Sequence, residues 1–186
     1  MATQRIASKA RKKVSTAMID AYAKKSLKRW VTQLFDLKQM KPFLPLGVRH
    51  SHGEEVNVDL TVCSASEMTK INRQFRGKNK PTDVLSFPAT EFFWIQGMLG
   101  DLVLCSDVLI AQAKQQNHSW KHEIDVLIVH GLLHLLGFDH ELGPREAKKM
   151  QAMEERLLQQ DVMKKTSAKK ITVKKKQING LISRSR

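Results

Sequence analysis

Apolar positions recur every three or four residues from residue 14 to residue 36, and Ile19, Tyr22, Leu27, Trp30, Leu34 and Phe35 fall on one side of a helical projection. That spacing predicts an amphipathic helix, which Pro42 and Pro45 then break. At VNVDLTVC (56–63) the period drops to two, as in a half-buried strand. Ser64-Ala65-Ser66-Glu67 matches a capping box, in which serine and glutamate side chains satisfy two backbone N–H groups reciprocally; a helix to about Phe75 follows. A charged loop from Gly77 to Pro81 leads to a second strand, TDVLSF (82–87). Gly97 and Gly100 flank a turn before a third strand, DLVLCS (101–106), and Asp107 is placed to cap a helix reaching about Asn117.

The longest apolar helix is expected from about Ser119 to Leu136, with Ile124, Leu127, Ile128 and Leu135 available to a core. Gly137 would end it in a left-handed conformation. Pro144 suits a first helical position and opens a final helix, REAKKMQAMEERLLQQ (145–160). Short strands interspersed with longer helices predict an α/β or α+β domain, a small mixed sheet covered by several helices. A chain of 186 residues suffices for one such core. Cys63 and Cys105 lie in apolar runs without ligand spacing and read as buried free thiols. No apolar run spans a membrane, and the first 20 residues lack a secretory core, so a cytoplasmic location is the expectation. The basic, acid-poor start also has the character of an organelle transit peptide.

Charge divides the chain into three. Residues 1–29 carry nine basic residues and one acid, Asp20; residues 164–186 carry nine basic residues and no acid. The formal net charge of +14 therefore belongs to the ends, while 30–163 is slightly acidic. The expected organisation is a basic N-terminal extension and helix (1–29), a folded body (30–163) and a flexible basic tail (164–186). Basic ends of this kind bind polyanions, nucleic acid above all.

VHGLLHLLGFDHE (129–141) carries the chemistry. His130 and His134 lie one turn apart on one helix face, and Gly137 lets the chain reverse to bring His140 towards the same point. Three neutral imidazoles, each at about 2.0–2.1 Å from a zinc ion, leave one tetrahedral position open, as in catalytic zinc sites. A further histidine, His118 or His122, could close the site as a structural one; otherwise these two, with His50 and His52, read as surface or structural residues. The spacing matches that of metzincin zinc peptidases, except that Gly131 stands where those enzymes carry the glutamate that takes a proton from water. The peptidase reading therefore lacks its base.

The run HGLLHLLGFDH (130–140), with NRQFRGKNKPTDVLSFP (72–88) and GDLVLC (100–105) in the same order, closely resembles the YbeY family of endoribonucleases. Phe138 stands where the family often has tyrosine, and the basic ends lie outside the shared blocks. The resemblance implies one zinc ion held by His130, His134 and His140, with His130 and Arg76 in the catalytic machinery. It also implies single-strand-preferring cleavage in ribosomal RNA maturation, of the 16S 3′-end type, and in ribosome quality control, with ribosomal RNA and the small ribosomal subunit as partners. The chemistry agrees: zinc lowers the pKa of water from about 15.7 to about 7 or polarises a phosphoryl oxygen, and Arg76 can pair bidentately with a phosphate.

Lys70, Arg73, Lys78 and Lys80 cluster around Arg76 and suggest an RNA-backbone track; singly, the lysines also read as solvated surface. Asp83 either orients Arg76 or a ligand histidine, or caps a turn. Asp139 either holds an imidazole tautomer or caps its own turn. Two rival readings remain: a zinc-containing ribosome-assembly factor without catalysis, and a metal-dependent hydrolase of another substrate.

Overall fold

Helix α1 (Thr16–Asp36) buries Ile19, Ala23, Leu27, Trp30 and Leu34 along one stripe, with Tyr22 and Phe35 half-buried at its flanks. The computed structural model describes residues 14–36, 40, 43 and 56–182, so Pro42, Pro45, His50 and His52 lie outside the described residues. As the spacing predicts, α1 runs unbroken past residues 29 and 30, and Ile19, Ala23 and Leu27 belong to the central core. The reason is the apolar stripe, which must be covered whatever the charge of the opposite face.

Three strands, β1 (Asn57–Cys63), β2 (Val84–Pro88) and β3 (Met98–Cys105), form a mixed sheet in the order β1-β3-β2. β1 runs parallel to β3 and β2 antiparallel to it, with Leu60 and Ser86 both opposite Leu102. Alternation then assigns the faces. Val58, Leu60, Val62, Val84, Leu102 and Leu104 pack into the larger core with α1 and α5 (Trp120–Leu135). Cys63, Leu85, Phe87 and Cys105 form a smaller core under α2 (Ala65–Arg76) with Met68 and Ile71. Burial pushes the Cys63 thiol up to about 11, which keeps it protonated and inert.

Local chemistry sets the element ends. The capping box of α2 is present, with Ser64 and Glu67 in the expected roles, and Gly77 closes the helix at φ 67°. β2 starts at Val84 rather than Thr82 because the Asp83 carboxylate accepts the Val84 N–H (2.8 Å) and the Thr82 hydroxyl (3.1 Å). Gly100 lies within β3, not in a turn: a Cβ there would sit 2.2 Å from the Phe87 carbonyl oxygen of the neighbouring strand. A short helix, α3 (Glu91–Trp94), precedes β3. α4 (Ser106–Gln115) follows β3 directly; Asp107 does not cap it but accepts the Ala65 N–H at 2.7 Å, tying α4 to the start of α2.

α5 is capped by the Ser119 hydroxyl, which accepts the His122 N–H. Its end is a Schellman motif: Phe138 N–H donates to Leu133 C=O, Gly137 N–H to His134 C=O, and Gly137 takes φ 87°. After a 3₁₀ turn (His140–Leu142), α6 (Pro144–Ile182) packs Met150 and Leu157 into the core. It does not stop near residue 160, and the segment expected as a flexible tail continues as helix to Ile182. Among the described residues no helix is long and apolar enough to cross a membrane.

Candidate active site

The Schellman turn folds His140 back against the two histidines of α5. Ring centroids lie 4.7 Å (His130–His134), 5.0 Å (His134–His140) and 5.2 Å (His130–His140) apart, and one nitrogen from each falls within 4.8 Å of the others. The Nε2 atoms of His130 and His134 are 3.1 Å apart. Two nitrogens on one tetrahedral zinc stand about 3.3 Å from each other, so the pair already has ligand spacing. Burial, then the neighbouring His130 and His140, lowers the pKa of His134 and favours the neutral imidazole that a metal requires. The donor set therefore fits a transition-metal ion.

Glu154, on α6, completes the arrangement. His130 donates from Nδ1 to Glu154 Oε1 at 2.6 Å, which fixes the proton on Nδ1 and leaves the Nε2 lone pair facing His134. The tautomer-holding role considered for Asp139 thus falls to a residue outside the histidine motif. Asp139 instead accepts the Glu141 N–H (2.8 Å) and caps the 3₁₀ turn. A signal for Glu154 is present in the sequence: Met150, Leu157 and Asp161 share its helical face, so an acid sits on a stripe that packs inward.

Arg76 ends α2, and Gly77 turns the chain from there into the basic loop. Arg76, Lys78 and Lys80 line one cleft of about 540 Å³ together with His130, His134 and His140. Lys70 and Arg73 are exposed on α2 but are not part of the cleft wall. Asp83 makes no bond to Arg76 or a ligand histidine; it caps β2 and accepts Gln112 Nε2 at 2.9 Å. His118 and His122 meet edge to face (4.9 Å), and His118 pairs with buried Glu123 at 2.9 Å, so neither joins the three-histidine group.

Gly131 answers why this helix has no glutamate after its first histidine. A Cβ at 131 would stand 2.7 Å from Leu102 Cδ2 and 3.2 Å from Ser86 Oγ. The position faces the sheet so closely that a side chain there would have to displace Leu102, and a carboxylate would point into the core.

A small mixed sheet thus supports a three-histidine cluster able to hold a metal ion, in a cleft that arginine and lysine also line. Comparison with known proteins identifies the class: the sequence profile of "Endoribonuclease YbeY" matches residues 10–161. An "Endoribonuclease YbeY" of Aquifex aeolicus is 45% identical over 104 residues, 55% of this chain and 69% of the relative. One of Persephonella marina is 38% identical over 114 residues, 60% and 74% of the two chains. A solution structure from Thermotoga maritima aligns at 28% identity over 74% of this chain and 87% of its own, with a TM-score of 0.45. The chain belongs to the endoribonuclease YbeY family. The activity of that class is hydrolysis of RNA within the strand.

Proposed function

We propose that this protein is a zinc-dependent, single-strand-preferring endoribonuclease that matures ribosomal RNA of the small subunit in the cytoplasm and acts in ribosome quality control. The observation that carries the reading is the meeting, in one cleft, of the three histidines with Arg76, Lys78 and Lys80. His130, His134 and His140 would hold the zinc, which supplies Lewis acidity towards water and phosphoryl oxygen. Arg76 grips the phosphate through its planar fork, and Lys78 and Lys80 hold neighbouring backbone charge. Glu154 orients His130. Lys70 and Arg73 extend the basic surface outside the cleft, and the basic segments 1–13 and 164–186 add polyanion affinity. The peptidase alternative has no base at position 131, where a side chain would run against Leu102 of the sheet.

The test is cleavage of a labelled single-stranded ribosomal RNA fragment by protein of measured metal content. Arg76→Ala is expected to keep its metal and lose about 100-fold in rate, the scale for removing one charge-stabilising donor. His130→Ala/His134→Ala is expected to lose both metal and cleavage. If all three proteins cut alike, the assignment fails; if none cuts and all bind RNA, the metal is scaffolding for an assembly factor.

A further inference from the structure

The cleft wall between α2 and α4 contains an unusual pair of amides. Among the described residues three buried side-chain atoms lack a hydrogen-bond partner, and two of them, Asn72 Oδ1 and Gln112 Oε1, belong to residues lining this cleft. Asn72 is only 2% exposed. A buried amide oxygen without a donor is costly, and folded proteins seldom leave one so.

Neither amide can rescue itself by rotating end for end. Asn72 Nδ2 donates to the Lys80 carbonyl at 2.7 Å, and Gln112 Nε2 donates to the Asp83 carboxylate at 2.9 Å. Both partners only accept, so each NH₂ is pinned and each oxygen is left as an acceptor. Asp83 is itself held by Thr82 and Val84, which makes the orientation of Gln112 a property of the start of β2.

We infer that Asn72 Oδ1 and Gln112 Oε1 form an acceptor pair beside the histidines that takes O–H or N–H donors from an RNA strand. The inference rests on the RNA-cleaving reading and adds to it a site that reads the strand itself. Arg76, Lys78 and Lys80 offer only donors and so recognise phosphate, which RNA and DNA share. Acceptors recognise what phosphate lacks, and two groups of RNA fit: the ribose 2′-hydroxyl, which separates RNA from DNA, and the exocyclic amines of the bases. Both oxygens are screened from bulk solvent, so strand entry must shift the rim. Arg76, Lys78 and Lys80 line the same cleft and are exposed, so their side chains can move aside as a strand enters.

Binding is the decisive readout, since removing a 2′-hydroxyl can also abolish cleavage for reasons of mechanism. Fluorescence anisotropy would give Kd for a short single-stranded RNA and for two substituted series. One series replaces each ribose singly by 2′-deoxyribose; the other replaces guanosine by inosine and adenosine by purine riboside. Wild type is expected to bind one or two substituted strands about 10-fold more weakly than the parent. Gln112→Met should bind the parent more weakly and lose that discrimination. A loss in the deoxyribose series assigns ribose as the donor, and one in the amine series assigns the base. Wild-type affinities within twofold across both series, or discrimination kept intact by Gln112→Met, would overturn the inference. The endonuclease reading is judged separately, by whether the unsubstituted RNA is cut; if that RNA is not bound at all, both fall.

Discussion

A side chain at position 131 leaves α5 about 100° round from His130, which turns it from the cleft to the sheet. Leu102 is fully buried there and has little freedom to retreat. Gly131→Ala is therefore expected to destabilise the protein although alanine favours a helix: overpacking costs about 1–3 kcal/mol, against roughly 1 kcal/mol of helix propensity gained. Urea unfolding of the metal-free protein measures the balance, and a net stabilisation would contradict the close contact. Glu154 invites a different substitution. Glu154→Gln keeps the volume and removes the carboxylate that receives His130 Nδ1–H. Metal affinity, read by competition with a chromophoric chelator, should fall about 10–100-fold, the range for partners of this kind. An unchanged affinity would mean that α5 alone orients the ring.

Three helices are joined by one buried charge group. Arg29 of α1 donates to Asp125 of α5 (2.6 Å) and to both oxygens of Asp161 of α6 (2.9 Å), while Ser26 and Trp30 also donate to Asp125. Asp125→Ala leaves Arg29 short of a partner in a largely covered place. The expected cost is about 2–3 kcal/mol, reduced from the fully buried case because Arg29 keeps some contact with water. A thermal shift with no change would show that Asp161 alone satisfies the guanidinium. The elements themselves are readable where the signal is local. The capping box before α2, the glycine after α5 and the histidines one turn apart all act over fewer than a dozen residues, and the structure places each as expected. The roles of Asp107, Asp83 and Glu154 are not legible in the same way, because their partners lie on other elements and periodicity carries no information about which helix packs where. The reach of α6 to Ile182 escapes the sequence pattern for another reason: lysine is a good helix former even where no apolar face asks for a helix.

At the scale of the whole molecule the charge is borne by the ends and the chemistry by the middle. The profile match stops at residue 161, and beyond Met163 come nine basic residues with no acid, carried by α6 as far as Ile182. Deleting 164–186 should leave metal content unchanged, since the three histidines and the core residues found among the described residues all precede it. Affinity for long RNA should fall, and the dependence of log Kd on log salt should flatten by about 0.7 for each RNA phosphate that the shortened chain no longer neutralises. An unaltered salt slope would show that the segment does not touch RNA.

The Schellman turn after α5 also bears on the order in which the molecule is built. His130, His134 and His140 sit within 11 residues of sequence, closed by one helix end, whereas β1 must cross α2, β2 and α3 to find its parallel partner β3. Closing short loops precedes closing long ones. The imidazoles can therefore gather before the sheet exists and before Arg76, more than 50 residues upstream, is brought to them. In refolding of the complete chain the histidines proposed to hold the metal are therefore expected to meet ahead of the segment proposed to grip a phosphate.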